Sequence, residues 1–274
     1  MGLRFSKIEG TADFEAYDEF VTSCPQSVTQ QTLAWKRVIE GIWPDKDTPL
    51  YLKAERNGEI IGVLPSFVYD GIGGKVAVSL PHAGAYGGIL TRPNLPTGER
   101  AEVYSELSKA WFQECRSAGC ATATLTTAPF SNDLKYYLND VKPDYRLDRF
   151  FQYVDLKAGA DYNRSTRRNL RTAMAEGLEV YKDNSLKMVK EWYPIHEMRM
   201  KELNAPPLPW ELFEGCLKHA CPAGKADFWF VRDSSGNLAA GCLYLKHNEI
   251  VDVFIMSAAA SSMSQGANTI LTDF

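Results

Sequence analysis

Four arginines, Arg164, Arg167, Arg168 and Arg171, recur at i, i+3, i+4 and i+7 within NRSTRRNLRTAMAEG, residues 163–177. That spacing lines guanidinium groups along one face of a helix, and guanidinium forks pair with phosphate or carboxylate bidentately. The face is either a docking site for an anion or a solvated basic face. Arg167, Arg168 and Arg171 are the candidates for phosphate contacts, whether the phosphate belongs to a tRNA or to a nucleotide-linked acceptor. A second candidate is a single carboxylate. Asp252 is the only acid in IVDVFIM, residues 250–256, and strand alternation puts it on the face of Phe254 and Met256. Desolvation there raises a carboxyl pKa toward that of a general base. The competing reading is a strand-edge aspartate bonded to backbone or to a cation. A third group is His82, Tyr86, Gly87 and Gly88 in PHAGAYGGIL. Adjacent glycines admit a ligand to the backbone, and His82 and Tyr86 can hydrogen-bond a peptide or a sugar. The same residues also read as a glycine turn with its aromatic packed inward. Asp70 and Asp133 are lone acids in loops, with no case beyond that.

Much chemistry is excluded. None of the six cysteines forms CxxC, and the four histidines make no HxxxH pair, so no zinc site is expected. No GxGxxG follows a strand and no GxxxxGK[ST] occurs, so no flavin, nicotinamide or tightly bound cofactor is expected. The cysteines read as buried thiols in a reducing cytosol. Net charge is -4, so any binding to RNA or phosphate must be local, and residues 163–177 are the strongest place for it. The N-terminus MGLRFSKIEG lacks a signal-peptide core, and no apolar run approaches the roughly 20 residues that span a bilayer. A soluble, cytoplasmic protein is expected, one that can still work at a membrane surface. At 274 residues the chain suits one large domain or two modest ones.

The elements that must position these residues follow from periodicity. Helices are expected at 11–23 and 32–42, then a hairpin of strands 50–55 and 60–69 around Asn57-Gly58. Strand 75–80, helix 99–118, strand 121–126, helix 131–138 and strand 151–156 complete the first half. After the basic helix come helices 183–204 and 210–220 and a hairpin of strands 226–232 and 238–247. Strand 249–257 and a helix from 265 complete the second half. The two halves share this order. LYLKAERNGEIIGVLPSFVY (50–69) and DFWFVRDSSGNLAAGCLYLKHN (227–248) each hold a strand, a polar turn and a strand with a glycine, Gly62 or Gly241. A third strand and a small-residue loop follow in both, 76–80 then 82–88, and 251–257 then 258–266. Two copies of one α/β domain are expected.

These residues carry a resemblance. PLYLKAERNGEIIGVLP (49–65) with SLP and YGGIL (79–90), RRNLRTAMAEGLEV (167–180) and GNLAAGCLYL (236–245) together resemble the FemAB- and FemX-like peptidyltransferases and their GNAT-fold acyltransferase relatives. The resemblance covers nearly the whole chain, and the order of the motifs carries more of it than any one motif. It implies two tandem GNAT-like domains, 1–155 on the acceptor side and 156–274 on the donor side, with mixed sheets flanked by helices. It implies acyl or aminoacyl transfer, from acyl-CoA or aminoacyl-tRNA, to an amine of a cell-envelope or polysaccharide precursor. In such domains a strand exposes backbone to the donor, and the next helix offers free N–H groups to phosphate. The corresponding residues are 251–257 and the turn Gln265, Gly266, Ala267 and Asn268, which reads equally as a plain turn before a helix. Asp252 is then the candidate base for the amine, and acceptor binding falls near 82–88. A GNAT sheet closes with a further strand after the helix that starts at Ile270, so the second domain is expected to be incomplete at Phe274. The rival reading is a non-catalytic binding module derived from this fold.

Overall fold

The computed structural model describes residues 2–42, 47–79, 86–129, 131–159 and 161–273. Contacts divide the chain into two compact units. The first holds Met1–Lys142, Lys218–Lys225 and Lys246–Ile250, and the second holds Pro143–Leu217, Ala226–Leu245 and Val251–Phe274.

In the first unit, β1 (Arg4–Lys7) leads into α1 (Gly10–Ser23), a 3-10 turn at Thr29–Gln31 and α2 (Leu33–Ile42). Then come β2 (Asp47–Pro49), β3 (Leu52–Arg56), β4 (Glu59–Leu64), β5 (Phe67–Gly71), β6 (Gly74–Val78) and β7 (Leu90–Thr91). The half closes with α3 (Thr97–Ser117), β8 (Cys120–Thr124) and α4 (Leu134–Asp140). Two four-stranded sheets result, in the orders β1-β3-β4-β7 and β2-β5-β6-β8. Helix α3 packs on β1, β3, β4 and β8 and buries Val103, Leu107 and Trp111 against Leu52, Ala54 and Leu64. At roughly 1.5–3 kcal/mol for each large apolar side chain removed from water, that seam is a main source of stability in this unit.

The expected return strand 60–69 is divided. Pro65 has no N–H for a ladder, and the chain changes sheet there: Leu50 and Ser66 exchange bonds, N–H of Leu50 to O of Ser66 at 2.8 Å and the Ser66 hydroxyl to the Leu50 carbonyl. Trp111 Nε1 donates to the same hydroxyl at 2.7 Å. The strand after the hairpin in sheet order is therefore β7, while β5 and β6, including the expected third strand, lie in the other sheet.

In the second unit, α5 (Arg164–Ala175), β9 (Glu179–Lys182), α6 (Leu186–Glu202) and α7 (Trp210–Gly215) precede a π-helical turn at Cys216–Ala220. Next come β10 (Ala226–Arg232), β11 (Leu238–His247), β12 (Ile250–Ala258), α8 (Ala260–Met263) and α9 (Ala267–Asp273). One sheet has the order β12-β11-β10-β9. The two hairpins carry the same irregularity. In each, the return strand holds an extra residue, Ile61 between the pairs Glu55↔Ile60 and Ala54↔Gly62, and Ala239 between Arg232↔Leu238 and Val231↔Ala240. Aligned on this bulge, Gly62 corresponds to Ala240, and Gly241 to Val63. The glycines that the sequence comparison paired are thus one residue apart and face opposite sides of their sheets. A Cβ on Gly62 would meet Val103 of α3, whereas one on Gly241 would meet Trp192 of α6 at 2.8 Å.

Expected strand 151–156 does not form. Residues 141–159 contain no helix or strand, and Phe150, Val154 and Leu156 stand exposed.

Candidate active site

Helix α5 forms as its residues dictate. Asn163 caps it, its side chain accepting from the Thr166 N–H at 2.9 Å. Gly177 ends it at φ +67, with Leu178 N–H reaching the Ala173 carbonyl at 3.1 Å. Leu170 and Ala173 are buried, and Arg164, Arg167, Arg168 and Arg171 are exposed on the opposite side. A concavity of about 420 Å³ is lined by Asp161, Tyr162, Asn163, Arg164, Arg167 and Arg171. Arg167 is partly engaged there: Nε donates to the Tyr162 carbonyl at 2.6 Å, and Nη2 reaches Asp161 at 3.2 Å. Arg171 Nε touches the Arg167 carbonyl at 3.3 Å. Three guanidinium groups therefore surround an open, polar hollow at a helix N-terminus, where backbone N–H groups add to the positive potential.

The turn Gln265–Asn268 lies against the other face of this helix. Gly266 has φ +83, and a Cβ there would stand 2.6 Å from the Asn169 carbonyl oxygen and 3.4 Å from Ala173 Cβ. The helices α5 and α9 run antiparallel, since Tyr162 also donates its hydroxyl to Asp273. The close approach that Gly266 permits is thus made by α5, and Ala267 is buried in the same seam. Asn268 keeps a buried side-chain oxygen with no hydrogen-bond partner. The structure brings the turn and the arginine helix together, but on opposite faces, so Arg167, Arg168 and Arg171 do not line the turn.

Asp252 is half-buried on β12, which ends the strand order of its sheet. It shares its face with Met256, which packs on the core formed by α5, α9 and the sheet. It also lies near Cys242, whose thiol is pushed up to about 12, first by burial and further by the Asp252 charge. Asp252 is engaged by its surroundings rather than isolated. Tyr244, on the same side, donates its hydroxyl to the Leu271 carbonyl and so ties β11 to α9.

Of the acceptor candidates, His82 lies outside the described residues. Tyr86 is half-buried, and Gly87 and Gly88 are buried. Gly88 has φ +88, and a Cβ there would overlap the Thr126 carbonyl and meet the Tyr137 hydroxyl at 2.5 Å. Tyr137 accepts from the Ile89 N–H at 2.7 Å, and the Gly88 carbonyl accepts from Gln31 Nε2 at 3.2 Å. Thr126 and Tyr137 occupy the approach that the glycine opens. Nearby, Tyr104 donates to Asp133 at 2.7 Å and Arg100 stands 3.9 Å from that carboxylate, so Asp133 is part of a packed network.

Sequence reasoning missed two buried histidines. His196 extends the apolar stripe of α6 four residues after Trp192, which is the signal that marks it for burial. Leu208 N–H donates to its Nε2 at 3.1 Å, so the ring proton is on Nδ1, which donates to Ser257 Oγ at 3.2 Å. That tautomer cannot take a proton from Ser257, so the pair is no nucleophile and base. Burial lowers the His196 pKa to about 4. In the first unit, His247 accepts from Lys225 at 2.7 Å and donates to Ser27 at 2.9 Å. Burial, with the Lys225 charge, lowers its pKa to about 4. Among the described residues no His, Cys, Asp and Glu gather in a metal-binding group.

The sequence matches no described protein family and no curated protein. Solved structures do share its fold. FemX superimposes with a TM-score of 0.70 at 11% identity, over 98% of this chain and 84% of that one. The C-terminal domain (DUF2156) of a putative lysylphosphatidylglycerol synthetase from Agrobacterium fabrum gives 0.54 at 14% identity, over 95% and 74%. The chain therefore has a FemX-like GNAT fold, an α/β architecture of several sheets flanked by helices, as the sequence resemblance implied. Among the described pairings the parallel pair β6–β8 makes the β2-β5-β6-β8 sheet mixed, while the β1-β3-β4-β7 sheet is antiparallel.

Proposed function

We propose that this chain is an acyltransferase that moves an acyl or aminoacyl group from acyl-CoA or aminoacyl-tRNA to an amine of a cell-envelope or polysaccharide precursor. The observation that carries the reading is a FemX-like fold spanning 98% of the chain, with an exposed arginine face suited to the phosphates that both donors bear. The domain of residues 156–274 holds the donor, with Arg167, Arg168 and Arg171 on its phosphate, while the turn Gln265–Asn268 backs the opposite face of the same helix. The domain of residues 1–155 holds the acceptor near His82, Tyr86, Gly87 and Gly88. Asp252 takes a proton from the acceptor ammonium. The freed amine attacks the thioester or ester carbonyl, a C–N bond forms, and the C–S or C–O bond breaks. The leaving thiolate or alkoxide takes up a proton, so no other reactant is consumed. Peptidoglycan assembly is the process such a transfer would serve.

A second reading has its own support. The protein itself fills the approaches at Gly88 and Gly266, as in a binding module that has kept the fold without the donor cleft. Limited proteolysis separates the two. A transferase is protected by acyl-CoA or by charged tRNA in the absence of acceptor. Protection by an amine-bearing envelope precursor, with none from either donor, would instead establish the binding module.

A further inference from the structure

Positive charge in this protein is concentrated. Of 30 Lys and Arg and 34 Asp and Glu, eight and four lie in residues 142–171, which leaves 22 against 30 for the rest of the chain. The tract is net positive on an acidic protein. Its first part, 142–159, contains no helix or strand and displays large apolar side chains: Tyr145 at 77% exposure, Leu147 at 59%, Phe150 at 98%, Val154 at 68% and Leu156 at 77%. Exposed apolar groups in this number, interleaved with Arg146, Arg149 and Lys157, mark a surface that meets another phase or molecule. Ion pairs within the tract join Arg146 to Asp148 at 2.8 Å and Arg167 to Asp161 at 3.2 Å, and the tract as a whole keeps its positive excess.

We infer that residues 145–157, which the arginines of α5 follow in sequence, dock the protein onto an anionic phospholipid bilayer. The observations favour a bilayer over other partners. Leu147, Val154 and Leu156 are aliphatic and offer nothing to stacked bases, so the composition suits a hydrocarbon boundary better than a nucleic acid. The net positive tract repels its own copy in a symmetric contact. Tyrosine and phenylalanine next to basic residues is the pairing that suits a headgroup region, where rings sit at the interface and cations pair with lipid phosphate. No described helix is long and apolar enough to cross a membrane. The inference is tested apart from the transfer reading, because the variants below leave Asp252, the turn Gln265–Asn268 and the α5 arginines assigned to donor phosphate unchanged.

The test is co-sedimentation with vesicles of phosphatidylcholine alone and of phosphatidylcholine with phosphatidylglycerol. The expected result is binding to the anionic vesicles only, weakened by salt. Phe150→Asp with Leu156→Asp should lower partitioning at least tenfold. Arg149→Glu with Lys157→Glu should do the same, because each basic residue near such a surface contributes about fivefold. Ile72→Asp, at the fully exposed turn between β5 and β6, should leave partitioning unchanged and so controls for a general loss of apolar surface. Failure to sediment, or equal binding to both vesicles, overturns the proposal. So does a concentration-dependent dimer that Phe150→Asp abolishes, which would make a second copy the occupant. RNA binding lost in the Phe150→Asp, Leu156→Asp variant, without vesicle binding, would assign the tract to nucleic acid and overturn it equally.

Discussion

Replacing Gly266 with alanine separates a packing role from a ligand role at the turn assigned to the donor. Gly266 and Gly236 have nearly the same backbone, φ +83 and +82, and both lie in the second unit. They differ in space. A Cβ on Gly236 meets nothing within 4 Å, whereas one on Gly266 stands 2.6 Å from a backbone oxygen of α5. A left-handed backbone costs an alanine about 1 kcal/mol at either position. Overpacking adds about 1–3 kcal/mol at Gly266 alone, because a helix backbone cannot step aside as a side chain can. Gly266→Ala should therefore lose about 2–4 kcal/mol and Gly236→Ala about 1 kcal/mol. With a urea m-value of about 2 kcal/mol/M, the midpoints fall by about 1–2 M and about 0.5 M. Urea titrations followed by tryptophan fluorescence read this directly, since Trp192 is buried in this unit. Equal shifts for the two variants would refute the reasoning and would mean that α5 does not hold the turn. In that case Gly266 is free to serve a ligand.

Two further outcomes are expected. His196 and His247 titrate in the folded protein at about 4, against roughly 6.5 when unfolded. Their contribution is complete above pH 6.5 and is lost as pH falls toward 4, at about 1.4 kcal/mol per pH unit for each. His196→Gln should be less stable at pH 7.5 and should show a shallower decline between pH 6.5 and 4; an identical slope would count against a buried neutral imidazole. Reversing Arg167, Arg168 and Arg171 to glutamate should weaken binding of aminoacyl-tRNA or acyl-CoA. For tRNA, the slope of log affinity against log salt should flatten by about two to three. Salt-insensitive binding by the unmodified protein would remove the arginine face from the site.

The legible parts of the fold are those fixed locally. Asn163, the arginine spacing and Gly177 define α5 at both ends, and the Asn57-Gly58 turn with its flanking alternation defines the hairpin of β3 and β4. What escaped depends on partners distant in sequence. Ile60 to Tyr69 reads as one strand because its apolar run continues, but Pro65 and the Leu50–Ser66 exchange send its second part to another sheet. Phe151 to Leu156 is rich in β-forming side chains and pairs with none of the described sheets, because β-propensity states a preference for a partner and cannot supply one. Gly62 and Gly241 matched in sequence because a bulge residue is invisible there. For the site, residue type suggested ligand access at Gly88 and Gly266, yet at both the close neighbour is the protein's own backbone. A positive-φ glycine in sequence says only that something approaches, not what.

The central claim is group transfer, and one measurement addresses it most directly. Labelled acyl-CoA and labelled aminoacyl-tRNA are each incubated with the protein and an amine-bearing envelope precursor, alongside an Asp252→Asn variant whose thermal unfolding matches the unmodified chain. The expected result is label moving from one of the donors into an amide of the acceptor, and at least a hundredfold less in the variant, as removal of a general base implies. No transfer from either donor by the unmodified protein would contradict the account. Equal rates for the two proteins would leave transfer standing but remove Asp252 from the chemistry.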